Sequence, residues 1–77
     1  MKIYAMANLQ GSISINGEKI PLTSKHEVSG VTLYLTPRLN GMWLLRSNKP
    51  FTCPSQGITA TDEIVMLRGY NYPLHFA

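Results

Sequence analysis

Ser12-Ile13-Ser14-Ile15-Asn16-Gly17-Glu18-Lys19-Ile20-Pro21 carries isoleucine at alternate positions on both sides of an Asn-Gly pair. Asparagine and glycine are the residues that best tolerate positive φ, which both central positions of a two-residue type I′ turn require. With the turn at Asn16-Gly17, Ile15 faces Glu18, Ser14 faces Lys19, Ile13 faces Ile20 and Ser12 faces Pro21. Ile13, Ile15, Ile20 and Leu22 then share one face, and Ser12, Ser14 and Lys19 share the other. Pro21 has no N–H to give a further neighbour, so the Lys19–Leu22 arm is expected at the edge of a sheet.

The same period of two recurs on either side. Ile3, Ala5 and Ala7 alternate with Lys2, Tyr4 and Met6. Val31, Leu33 and Leu35 alternate with Thr32, Tyr34 and Thr36, a pattern rich in β-prone residues. A second Asn-Gly pair, Asn40-Gly41, returns the chain into Met42-Trp43-Leu44-Leu45. A strict two-residue turn there would set Pro37 where a ladder N–H is wanted, so a bulge or widened loop is expected near Pro37. If the strict register held, Arg38 would lie across from Trp43, within reach of a cation–π contact. Thr23 to Gly30 and Ser47 to Gly57 read as loops from their polar, Pro- and Gly-containing composition. Thr59 to Leu67 reads as a buried strand, with a short helix capped at Thr59 and ended at Gly69 as the alternative. Tyr70, Tyr72, Leu74 and Phe76 alternate with Asn71, Pro73 and His75 as a last strand with an aromatic face. The expectation is an all-β fold over residues 1–77 as a single small domain. Five to six short antiparallel strands would form a partly open barrel or a twisted sheet, with at most one short helical turn.

Composition narrows the function classes. The chain has 77 residues, so its core is thin. Charged residues make up only 14%, with 7 Lys and Arg against 4 Asp and Glu. A surface made largely of Ser, Thr, Asn and Gln is cheap to desolvate and suits burial against another protein. Cys53 is the single cysteine, which excludes a disulfide-built secreted fold and fits a cytoplasmic, reducing setting. No run approaches the roughly 18 apolar residues of a membrane-spanning helix. Neither the cysteine nor His26 and His75 fall at a metal-ligand spacing, and no glycine-rich phosphate loop occurs. No metal, cofactor or enzymatic activity is expected.

Two binding readings follow. The first is a non-enzymatic protein-binding module using exposed aromatics and a sheet edge, with Arg38, Trp43, Arg46, Tyr70 and Tyr72 as contact residues. The second is a β-platform for single-stranded nucleic acid, in which Arg38, Arg46 and Lys49 hold phosphates while Tyr34 and Trp43 stack bases. A homodimer through the edge strand is a third class, which would show as a mass above monomer. In type the chain resembles the compact accessory proteins of phages and mobile elements. That likeness implies a role in which it sticks to a host protein, as inhibitors of host defence complexes do.

Overall fold

The computed structural model describes residues 1–21 and 25–77. The fold is all-β. Its strands are β1 (Lys2–Ala7), β2 (Ile13–Ile15), β3 (Glu18–Lys19), β4 (Lys25–Val28), β5 (Val31–Pro37), β6 (Trp43–Cys53), β7 (Ile58–Met66) and β8 (Asn71–Phe76). Two isolated 3-10 turns, Leu39–Gly41 and Pro54–Gln56, supply the helical content where at most one was expected. Among the described residues no helix is long and apolar enough to cross a membrane.

The first hairpin has the register its alternation dictates. Ser14 pairs with Lys19 and Ile15 with Glu18, and the Ile20 N–H donates to the Ile13 carbonyl at 3.1 Å. Asn16 and Gly17 both have positive φ, 53° and 80°. Asn16 also ties the tip to β1: its side-chain oxygen accepts the Tyr4 N–H at 2.9 Å, and its own N–H donates to the Tyr4 carbonyl at 2.7 Å. β3 lies at one end of the strand order β3-β2-β1-β8-β6-β5-β4, so the proline-bearing arm is an edge. Leu22, expected on the isoleucine face, lies outside the described residues, as do Thr23 and Ser24.

The strand count exceeds the expected five to six, and two segments read as loops contain strand: Lys25–Val28 adds one strand, and Ser47–Cys53 lengthens another. Lys25–Val28 lies within the expected Thr23–Gly30 loop, yet it pairs with β5 from Lys25↔Tyr34 to Val28↔Val31. His26 and Val28 are half-buried while Lys25 and Glu27 are exposed, so an alternation was present beneath a polar composition. Ser29 and Gly30, with φ of 49° and 78°, make a second two-residue turn between the paired Val28 and Val31.

Of the expected Ser47–Gly57 loop, Ser47–Cys53 is instead the continuation of β6, and only Pro54–Gly57 is a turn. The first half of β6, Trp43 to Ser47, pairs with β5, and Phe51 and Thr52 pair with β8 along the same edge. On its other edge β7 follows from Trp43↔Met66 to Cys53↔Ile58. Between Arg46↔Glu63 and Phe51↔Thr61, residues 47–50 of β6 stand against Asp62 alone. This irregularity is where the strand changes partners, and it gives Pro50 a place with no ladder bond to lose. Long bent strands that serve two sheets in turn are how a small sheet curls over its own core.

The core fills the inside of that curl. Ile3, Ala5, Ala7, Ile13, Ile15, Val31, Leu33, Leu35, Trp43, Leu45, Phe51, Cys53, Met66 and Leu74 are among its buried side chains. The Phe51 and Phe76 rings meet at 5.5 Å between centroids, tilted by 52°. β1 and β8 are joined from Lys2↔His75 to Met6↔Asn71, which sets both ends of the described chain side by side.

Candidate partner-binding surface

Three turns meet at one end of this sheet: residues 8–12 between β1 and β2, 38–42 between β5 and β6, and 67–70 between β7 and β8. Each is braced by its own hydrogen bonds. In the first, the Asn8 N–H donates to Ser12 O (2.8 Å) and the Asn8 carbonyl accepts the Gly11 N–H (2.9 Å). The Asn8 side-chain amide also donates to the hydroxyls of Ser12 and Ser14, both at 2.9 Å. In the second, Arg38 N–H donates to Met42 O at 2.7 Å and Met42 N–H to Leu39 O at 3.3 Å. In the third, the Leu67 carbonyl accepts Tyr70 N–H at 3.3 Å, and Leu67 N–H donates to the Tyr72 hydroxyl at 2.8 Å.

The turns are also fastened to one another. The Trp43 indole N–H donates to the Gly11 carbonyl at 3.1 Å. Gly69 N–H donates to Ala7 O at 2.6 Å. A β-carbon built on Gly41 would stand 2.6 Å from Arg68 Cδ, so the arginine stem lies directly over that glycine. A β-carbon on Gly69 would stand 3.0 Å from Leu9 Cδ2, so the first and third turns touch as well.

The outward side chains of these turns are unusual for loops. Leu39 is 83% exposed and Leu9 70%, and Leu67 and Tyr70 are about half exposed. Four of the eight large apolar side chains exposed among the described residues therefore sit in these 14 positions. Arg38 and Arg68 are the only charged residues there. Neither has an ion pair or side-chain hydrogen bond among the described residues. No carboxylate lies in any of the three turns, since the acidic residues are Glu18, Glu27, Asp62 and Glu63. The end is apolar and cationic.

The sequence-based candidates divide. Arg38 and Tyr70 are exposed at this end. Trp43 is 2% exposed and Tyr72 4%, so both are core residues and neither can touch a partner. Tyr72 alternates inward with Leu74 and Phe76, while Tyr70 precedes the strand and escapes that alternation. The Arg38–Trp43 contact is also absent. The widened turn expected near Pro37 is present; it pairs Pro37 with Trp43 and sets Arg38 opposite Met42 instead.

Arg46 lies on a different surface, its guanidinium 5.6 Å from the centre of the Tyr34 ring. Asp62 and Glu63 line the same shallow groove as that pair. Lys49 is exposed in the segment of β6 that changes partners. The proposed nucleic-acid set of Tyr34, Arg38, Trp43, Arg46 and Lys49 is thus dispersed, with its best stacking ring buried.

Among the described residues no three His, Cys, Asp or Glu side chains come together. Cys53 is fully buried, its sulfur 3.9 Å from the Ser55 hydroxyl.

Leu9, Leu39, Leu67 and Arg68 were not among the sequence candidates. A signal for them exists: Leu9-Gln10-Gly11, Leu39-Asn40-Gly41 and Leu67-Arg68-Gly69 are three copies of Leu-x-Gly, each at a turn. In each copy the leucine falls just beyond the paired strands, and its side chain is exposed. Comparison with known families, characterised proteins and solved structures returns no match for the chain.

Proposed function

We propose that this chain is a non-enzymatic protein-binding module that docks through the end formed by its three Leu-x-Gly turns. The observation that carries this reading is the exposure of Leu9, Leu39, Leu67 and Tyr70 together on braced backbone beside two unpaired arginines. Exposed leucines contribute nothing to the chain's own core, and apolar surface held in place by a rigid frame is what a partner buries at low entropic cost. Seated on a working surface of a larger host complex, such a module would inhibit it, as the likeness to small accessory proteins implies.

Strand addition through β3 or β7 is the weaker route, because both of those edges are blunted. β3 is two residues long and is followed within two residues by Pro21. On β7, the Thr61 hydroxyl donates to the Glu63 carbonyl at 3.1 Å and accepts the Glu63 N–H at 3.2 Å. Both backbone groups of Glu63, in the middle of that edge, are thereby occupied.

The test is site-specific photo-crosslinking in lysate of the natural host. A photoreactive side chain at position 39 or 9 should give one discrete adduct that excess unmodified protein competes away. The same probe at Glu18, away from these turns, should give none. With the probe at position 9, Leu39→Ser should abolish the adduct while shifting stability by no more than about 0.5 kcal/mol, as exposed substitutions do. Equal labelling from Glu18, or none from the turns, would remove the proposal.

A further inference from the structure

Resting on that reading, we propose that the partner presents an acidic amphipathic segment: apolar side chains flanked by Asp or Glu. The argument is charge complementarity on a prepositioned frame. Arg38 and Arg68 are the only charges in the three turns, and both guanidiniums lack a carboxylate among the described residues. The Arg68 stem is seated over Gly41, whose φ of 73° and missing side chain make the seat. The arginine stem is therefore held in place before any partner arrives. Arginine and tyrosine are the side chains that most often anchor protein interfaces, with neighbouring apolar area excluding water around them. Arg38, Arg68 and Tyr70 supply anchors here, and Leu9, Leu39 and Leu67 supply the area.

Other occupants fit less well. A second copy docked end to end about a twofold axis would set one cationic end against another with no carboxylate between them, like charge to like. Single-stranded nucleic acid wants a cationic groove with several aromatic platforms, and Tyr70 is the only ring among these turns. An anionic membrane is held by clusters of about four to eight cations, and two are present.

The experiment uses three soluble helical peptides with leucine at i, i+3, i+4 and i+7 and with glutamate, glutamine or lysine between. Each is titrated into the isotopically labelled protein while backbone amides are followed by NMR. The glutamate peptide should shift amides of residues 8–12, 38–42 and 67–70. It should bind about tenfold more tightly than the glutamine peptide, and that advantage should shrink with salt. The lysine peptide should bind most weakly. R38Q/R68Q should erase the glutamate advantage but keep the glutamine-level affinity, and Leu39→Ser should weaken both. Lysine-peptide binding as tight as glutamate, shifts elsewhere, or no shift at millimolar peptide would overturn the inference. So would tighter binding at these amides by an oligothymidylate or by phosphatidylserine vesicles. If the peptides fail while crosslinking from position 39 still captures one protein, the acidic partner falls and the docking end stands. If crosslinking fails too, both fall.

Discussion

Trp43 does two jobs at once, and neither involves a partner. Its ring fills the core, and its N–H reaches the Gly11 carbonyl, fixing the β1–β2 turn against the start of β6. Replacing it with phenylalanine keeps an aromatic ring but leaves that half-buried carbonyl without its donor and removes volume from a packed interior. Trp43→Phe should cost about 1–3 kcal/mol, read as a lower denaturant midpoint at unchanged slope. The amides of residues 8–12 should move with it. In the parent protein, indole emission should be blue-shifted and move red only as the chain unfolds. Emission already red in the native protein, or full stability in the phenylalanine variant, would contradict the placement. The same residue shows how a sequence misleads: one tryptophan among basic residues reads equally well as an interface anchor or as core. Alternation with Leu45 along β6 puts it inside, and that follows only once the register of β6 is known.

Among the strands, legibility tracks how much of the alternation is apolar. β1, the β2–β3 hairpin, β5 and β8 declare themselves because an aliphatic or, in β8, mostly aromatic side chain recurs every second position. β7 also read correctly as a strand, since the β-branched pair Ile64-Val65 outweighed a weak capping signal at Thr59. β4 was hidden because its inward positions, His26 and Val28, are only half-buried and tolerate a polar residue. The second half of β6 was hidden because Lys49-Pro50 looks like a loop, when in fact it is a strand passing from one neighbour to another. The free edge of β7 yields a separate prediction. Thr61→Val keeps shape and β propensity but uncaps the N–H and carbonyl of Glu63. With salt present to screen Asp62 and Glu63, the valine variant should gain mass over the parent in light scattering as concentration rises. Thr61→Ser, which restores a hydroxyl, should not. Identical scattering from the valine variant and the parent would show that the threonine guards nothing.

The fold taken together is held shut by contacts between the two ends of the described chain. Met1 and Phe76 exchange backbone hydrogen bonds at 2.7 and 3.0 Å, and β8 bridges β1 to the second half of β6. Cys53, buried at the far end of β6, reports on that closure. Its thiol should be modified by a neutral thiol reagent about a thousandfold more slowly in the native protein than in the unfolded chain, matching roughly 4 kcal/mol of opening free energy. Denaturant should speed the reaction along the global unfolding line. Fast labelling without denaturant would mean that the β6–β7 end opens by itself.

Short-range chemistry was enough to set the all-β class, the Asn16-Gly17 corner with its register, and the broadened turn after Pro37. Each depends on residues only a few positions apart, through side-chain alternation and through backbone angles that asparagine and glycine accept. Three things required the chain to be closed on itself: the exchange of neighbours along β6, the burial of Trp43 and Tyr72, and the gathering of the three Leu-x-Gly turns at one end. These join residues separated by tens of positions, such as Gly11 with Trp43 and Gly41 with Arg68. No local preference encodes such a meeting, because it arises only when a curled sheet has one core to cover and turns left over at its rim.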